Sequence, residues 1–319
     1  MLTTLGRKAH TWALRSVPWS NVYGLARTIL ALGTTVTLVF SPSVSLFRPG
    51  AGALQVPACE GARAASAFCL AAHQAGSLEL GRWAAIALLL VIASGWRPRF
   101  TGVLHAWLAW SLNVSAAIVD GGDQVTSVLT LILVPVTLTD PRTWHWSAPP
   151  ARKDTLLDDA LRLVAITALT VARVQVAGIY FQATVGKLAV EDWTNGTALW
   201  YWLLDPQVGA PAWLAPSLRA LLATPAVALL TWGVLVLEAS LTLGLFLPKK
   251  RWGALLVGGI ALHAGIIFVH GLISFALAMF AALILYLRPT ERVFRRLARS
   301  ERPRARPLWV SALTPAVAD

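Results

Sequence analysis

Charge is scarce in this chain. Only 13% of its 319 residues are Asp, Glu, Lys or Arg, against about 25% in a soluble domain, and a length that about eight helices with loops take up leaves no room for a large soluble domain. Cysteine is nearly absent: Cys59 and Cys69 are the whole thiol inventory, with no CxxC pair, no zinc-ligand spacing and no covalent haem motif. No metal site is expected. Acidic residues number 15 against 27 Lys and Arg, a net charge of +12. The basic residues cluster at the ends of apolar runs, so this charge does not describe a nucleic-acid footprint and no nucleic-acid partner is expected. No cleavable signal peptide is expected, because Met1 to Ser20 is basic and aromatic and the first apolar run is long enough to span a bilayer.

What the chain has in plenty is apolar length. Hydrophobic residues make up 56% of it and mean hydropathy is +0.64. The composition predicts an all-α polytopic membrane protein of about eight transmembrane helices. The spans fall at Val22–Phe40, Leu80–Gly95, Phe100–Val119, Gln124–Thr139, Thr155–Lys187, Ala223–Phe246, Gly253–Phe268 and Leu272–Leu287. The organisation is therefore a cytoplasmic N-terminal segment at 1–20, a transmembrane domain at 21–288 and a basic cytoplasmic tail at 289–319. Topology follows from the Lys and Arg count on each side. The side holding both termini has 19 and the opposite side five, so both termini are expected in the cytoplasm.

That orientation puts the cysteine loop, Asp120-Gly121-Gly122-Asp123 and the segment after Lys187 outside. Two lone cysteines in an oxidising compartment suit a disulfide. On one straight helix they would stand about 15 Å apart, so the loop must fold back to join them. Two unpaired buried thiols are the alternative.

The densest chemistry lies in Arg173–Asp205, RVQVAGIYFQATVGKLAVEDWTNGTALWYWLLD. Arg173, Tyr180 and Lys187 recur at i, i+7 and i+14 and so share one helix face, with Arg162 close to it. A charged side chain deep in a bilayer costs about 2.5–3.5 kcal/mol, so this stripe points to a polar interior or cavity. Lys187 reads either as a lysine snorkelling from the outer helix end or as a general base beneath a cavity. Arg173 needs a carboxylate, a carbonyl or water, and Glu238 on the sixth span is the economical partner. His263 and His270 share a face, and intramembrane histidines commonly bond helix to helix. Asp120-Gly-Gly-Asp123 reads as an external calcium or head-group site, or equally as a tight turn whose carboxylates face water. Trp193, Trp200, Tyr201 and Trp202 suit a short amphipathic helix in the outer loop after helix five, capped by Asn195.

The run Tyr180-Phe181-Gln182-Ala183-Thr184-Val185-Gly186-Lys187-Leu188, with Asp192-Trp193 and Gly196-Thr197-Ala198, resembles the vitamin K-dependent gamma-carboxylase superfamily and its bacterial horizontally transferred transmembrane domain relatives. Asp120-Gly-Gly-Asp123, Glu238, and His263 followed by Gly271-Leu-Ile-Ser-Phe275 agree with it. The resemblance covers about residues 15–290. Within that superfamily the Cys59-Glu-Gly…Phe68-Cys69 loop looks like a short bacterial branch, similar to the membrane component B of sporulation-delaying-protein toxin-maturation systems.

This resemblance implies a multi-pass protein of the bacterial cytoplasmic membrane. It would act with a small membrane-anchored partner on a secreted precursor peptide, which the pair converts into an antimicrobial toxin. The carboxylase branch implies more: Lys187 as the base that deprotonates a reduced naphthoquinone such as menaquinone, although this chain lacks the large lumenal domain that binds a propeptide there. The expected site is thus a catalytic Lys187 among the cavity or binding residues Arg173, Tyr180, Gln182, Asp192, Trp193, Asn195, Glu238 and His263. Three functions follow: a toxin-maturation factor, a quinol-dependent carboxylase-like enzyme, and a non-enzymatic scaffold or immunity protein.

Overall fold

Small polar side chains set where the long helices begin. In the computed structural model, which describes residues 6, 7, 11, 16–48 and 57–297, Ser20, Ser77, Asp120 and Thr155 each stand just before a helix. Each accepts a backbone N–H from its first turn, which satisfies a donor that the helix itself leaves free. The elements are α1 Asn21–Phe40, α2 Ser43–Leu46, α3 Ala67–Gln74, α4 Leu78–Ala93, α5 Pro98–Ser115, α6 Gly121–Thr139 and α7 Leu156–Leu188. They continue with α8 Glu191–Thr194, α9 Ala198–Leu204, α10 Ala215–Leu222, α11 Ala226–Leu243, α12 Lys249–His270 and α13 Ile273–Leu287. Among the described residues there is no strand. The N-terminal segment expected at 1–20 and the tail expected at 289–319 lie in large part outside those residues.

Five helices, α1, α6, α7, α11 and α12, are long and apolar enough to cross a membrane. The other three expected spans correspond to α4, α5 and α13, of 16, 18 and 15 residues. At 15 residues α13 is about 22 Å long, shorter than a hydrocarbon layer of about 30 Å. Helix α7, with 33 residues, is about 50 Å long and overruns that layer. Its acidic first turn and Lys187 in its last turn sit at opposite extremes.

Helix α13 forms the centre and packs against α1, α6, α7 and α12. It is apolar all round, and Ala276, Ala278, Ala281 and Ala282 let the neighbouring helices approach closely. Leu229 and Val236 on α11 and Val257 on α12 face outward and are exposed, which suits lipid contact better than water. A second core joins α1, α4 and α5 to the cysteine loop through Phe47, Phe68 and Leu112. There Cys59 and Cys69 are joined, with Cα atoms 5.6 Å apart, so the loop folds back as its disulfide requires. Ser66 caps α3 and contacts Ser115 Oγ at 3.0 Å, while Ser111 Oγ accepts the Ala67 N–H at 2.9 Å. These bonds fasten the loop to α5.

At the opposite end of the bundle, the segment joining α6 to α7 turns back inward. Asp140 accepts from Arg142 Nε and Nη2 at 2.9 and 2.8 Å and from the Tyr23 hydroxyl. The His145 ring fills the space left by Gly24 and Gly95, where a Cβ would come within 2.9 and 2.4 Å of it.

Candidate functional site

The last turn of α7 brings Lys187 against α11. Its Nζ donates to both carboxylate oxygens of Glu238, at 2.9 and 2.8 Å. The Lys187 side chain is 24% exposed and that of Glu238 only 9%, so the acid is enclosed and the amine forms the rim. The ammonium also suits the negative end of its own helix. Above it, 5.2 Å from Nζ, lies the ring of Trp193, a cation–π distance.

Local sequence explains how Trp193 reaches that place. After α7 the chain turns, makes the single-turn helix α8 and folds onto α11. Trp232 Nε1 donates to Thr194 O at 3.3 Å, and Leu199 N–H to Thr231 Oγ1 at 3.4 Å. Gly196 has φ +85°, and a Cβ there would meet Ala228 Cβ at 2.9 Å, so only glycine suits both the turn and the contact. Trp193, Ala198 and Leu235 then close a small apolar cluster over the ion pair.

Two turns below Lys187 along α7, the buried Tyr180 hydroxyl lies 3.0 Å from His263 Nε2 on α12. His263 is 4% exposed and its Nδ1 has no hydrogen-bond partner. The ring also packs against Phe275 of α13, centroids 5.5 Å apart. Phe275 in turn covers the start of α6: a Cβ on Gly122 would meet Phe275 Cα at 2.5 Å. Asp120 Oδ1 accepts the Asp123 N–H at 2.8 Å, and Asp120 Oδ2 accepts from Ser274 Oγ at 2.9 Å. Asp123, 5% exposed, accepts from Thr37 Oγ1 at 3.2 Å. Motifs far apart in sequence thus meet at one end of the bundle.

Several expectations need correction. Arg173 does not pair with Glu238. Its Nε lies 3.4 Å from Leu285 O and its guanidinium 5.2 Å from the Trp252 ring. The reason is axial distance, since Arg173 stands about 21 Å from Lys187 along one helix and a single carboxylate cannot serve both. Asn195 is not the N-cap of α9, a position that Thr197 holds; Asn195 Oδ1 instead accepts from Thr197 N–H at 3.0 Å and Thr197 Oγ1 at 2.6 Å. Asp123 is not turned to water, because Gly122 lets the backbone of α13 close over it. His270 leaves His263 alone and contacts Val208 O at 2.7 Å.

The other expected residues divide by position. Gln182 is exposed on the side of α7 away from this cluster, and Asp192 is half-buried, its carbonyl accepting from Thr197 N–H at 2.8 Å. Thr37 and Ser274, the partners of the two aspartates, gave no sequence signal, because a hydroxyl within an apolar helix is too common to single out. Among the described residues no group of three or more His, Cys, Asp or Glu is placed to hold a metal ion. An apolar groove of about 490 Å³ runs between α6 and α7 past Pro135 and Leu163, on the other half of α7 from Lys187.

Outside the helices, Asp205 is held below the usual carboxylate range by the backbone N–H groups of Val208 and Gln207, which fixes the turn after α9. Chemically, the cluster offers an ammonium–carboxylate pair at a rim, with a tyrosine–histidine pair behind it.

Over 291 residues the chain is 38% identical to the uncharacterized protein YitO of Bacillus subtilis (strain 168), spanning 91% of this chain and 92% of that one. It is 34% identical over 275 residues to the sporulation-delaying protein SdpB of the same strain, spanning 86% of this chain and 83% of SdpB. No family model matches the chain, and no solved structure matches it.

Proposed function

The chain belongs to the family of the sporulation-delaying protein SdpB, and from that premise we propose that it is an integral-membrane maturation factor for a secreted antimicrobial peptide. It works with a small membrane-anchored partner and processes or modifies the precursor at the outer face of the cytoplasmic membrane. The observation that carries this reading is the Lys187–Glu238 pair, enclosed on its acid side and open on its amine side, roofed by Trp193. A precursor group that enters the rim meets Lys187, the base of this reading, hydrogen-bonded to Glu238, with Tyr180 and His263 behind it. The charge asymmetry read from the sequence supports a rim on the outside.

Replacing Lys187 by Ala in a producing cell tests the reading. Loss of the mature exported peptide, with normal expression and normal co-purification of the partner, supports chemistry at this residue. Undiminished maturation overturns it and leaves a scaffold or immunity role. A quinol-dependent step is a second reading, favoured by the free Nδ1 of buried His263 beside the amine–carboxylate pair. It requires a naphthoquinone to co-purify with the protein, and a carboxylated product would gain about 44 Da in intact mass.

A further inference from the structure

The end of the bundle opposite Lys187 holds a second polar cluster that the proposed function does not use. Arg27, on α1, is 1% exposed. Its Nη2 donates to Thr101 Oγ1 at 2.5 Å, while Nε and Nη1 have no hydrogen-bond partner. The acid whose field reaches it is Asp140, but that carboxylate is already taken by the bidentate Arg142 guanidinium, the Arg142 N–H and the Tyr23 hydroxyl. Among the described residues Arg27 forms no ion pair. Two buried guanidinium groups and one carboxylate leave one positive charge without a counter-charge, an arrangement that proteins rarely tolerate.

A further unpartnered polar atom faces the same place. His105 is 1% exposed and its Nε2 is unpartnered. It follows Thr101 by one helical turn on α5, so it lies on the face that meets Arg27, and Arg27 is its charged neighbour. Unpaired buried donors of this kind ordinarily mark a bound water or ion. Water would satisfy the N–H groups and leave the charge unmatched.

We propose that the unpartnered Nε and Nη1 of Arg27 on α1, together with Nε2 of His105 on α5, hold a small inorganic anion of the halide class. The anion completes the charge balance of this end of the bundle and ties α1 to α5.

The test is thermal unfolding of the full-length protein in detergent, with sodium chloride or bromide titrated against sodium gluconate at constant ionic strength. Chloride and bromide should raise the midpoint by several degrees in a saturable manner, and gluconate should not. Arg27→Gln should flatten the response. His105→Phe, which keeps the Arg27 charge and removes the ring N–H, should raise the half-saturating halide concentration by about tenfold, the loss of one charge-assisted hydrogen bond. Superimposed chloride and gluconate curves for the unmodified protein overturn the proposal, and so does a halide response unchanged in both variants. Should Arg27→Gln fail to fold, the unmodified protein and His105→Phe decide the matter.

Discussion

Removing one member of the Lys187–Glu238 pair should destabilise the protein unequally, depending on which member goes. At 2.8 Å and an effective dielectric of about 20, the gross attraction is about 6 kcal/mol, most of it offset by desolvation of the two charges. Lys187→Met strands a carboxylate that is 9% exposed, and breaking a buried pair in this way costs about 3–5 kcal/mol. Because the rim is open on the lysine side, the lower figure applies, about 3 kcal/mol. Glu238→Gln strands an ammonium that can swing outward to water, a loss of about 1 kcal/mol. The double variant Lys187→Met with Glu238→Leu strands nothing and should also lose about 1 kcal/mol, far less than the sum of the singles. Thermal unfolding in detergent at one scan rate reads this as midpoint drops of about 6–12 °C for Lys187→Met and about 2–4 °C for each of the others. Equal losses in the two singles, with an additive double, would refute the reasoning, because they would mean that the acid is not enclosed by the amine.

Gly196→Ala should cost about 1–3 kcal/mol, since it places a side chain at φ +85° and against Ala228; faster limited proteolysis between residues 189 and 210 checks it. Reducing the Cys59–Cys69 bridge opens a short loop and should lower stability by about 2–3 kcal/mol, seen as an unfolding midpoint that falls with dithiothreitol and is unchanged in a Cys59→Ala, Cys69→Ala variant. His145 is held well below its ordinary value by burial first, and then by Arg27 and Arg142. The unfolded chain therefore takes up a proton below about pH 6.5 that the folded chain refuses. Stability should be complete above that pH and fall by about 1.4 kcal/mol per pH unit as pH drops toward the lower folded value. Denaturant midpoints from pH 7.5 to 5 measure the slope, and His145→Gln should make it shallower.

The helix extents show how much was legible along the chain. The expected span Thr155–Lys187 and the observed Leu156–Leu188 differ by one residue at each end, and Gln124–Thr139 falls within Gly121–Thr139. Such agreement follows from local causes: apolar length marks the body of a helix, and Thr155 and Asp120 mark its start. The disulfide was legible for the same reason, since two cysteines in a loop with no other thiol have few alternatives. Membership of Lys187, Tyr180, Glu238 and His263 in one cluster was legible only as a list, because periodicity puts residues on a face without saying what the face meets.

Sequence by itself determined the all-helical, membrane-like class, the bodies of the long helices and the cysteine bridge, each set by neighbours within a turn or two or by composition, while several helix ends lay up to four residues away. Tertiary structure alone decided which charges pair. Glu238 went to Lys187 and not Arg173, Asp123 was covered by α13, and Arg27 was left without a carboxylate. The physical reason is that pairing depends on the rotation and axial offset of one helix against another. Those quantities are set by the packing of glycines and alanines around α13, and a linear pattern of residue types does not carry them.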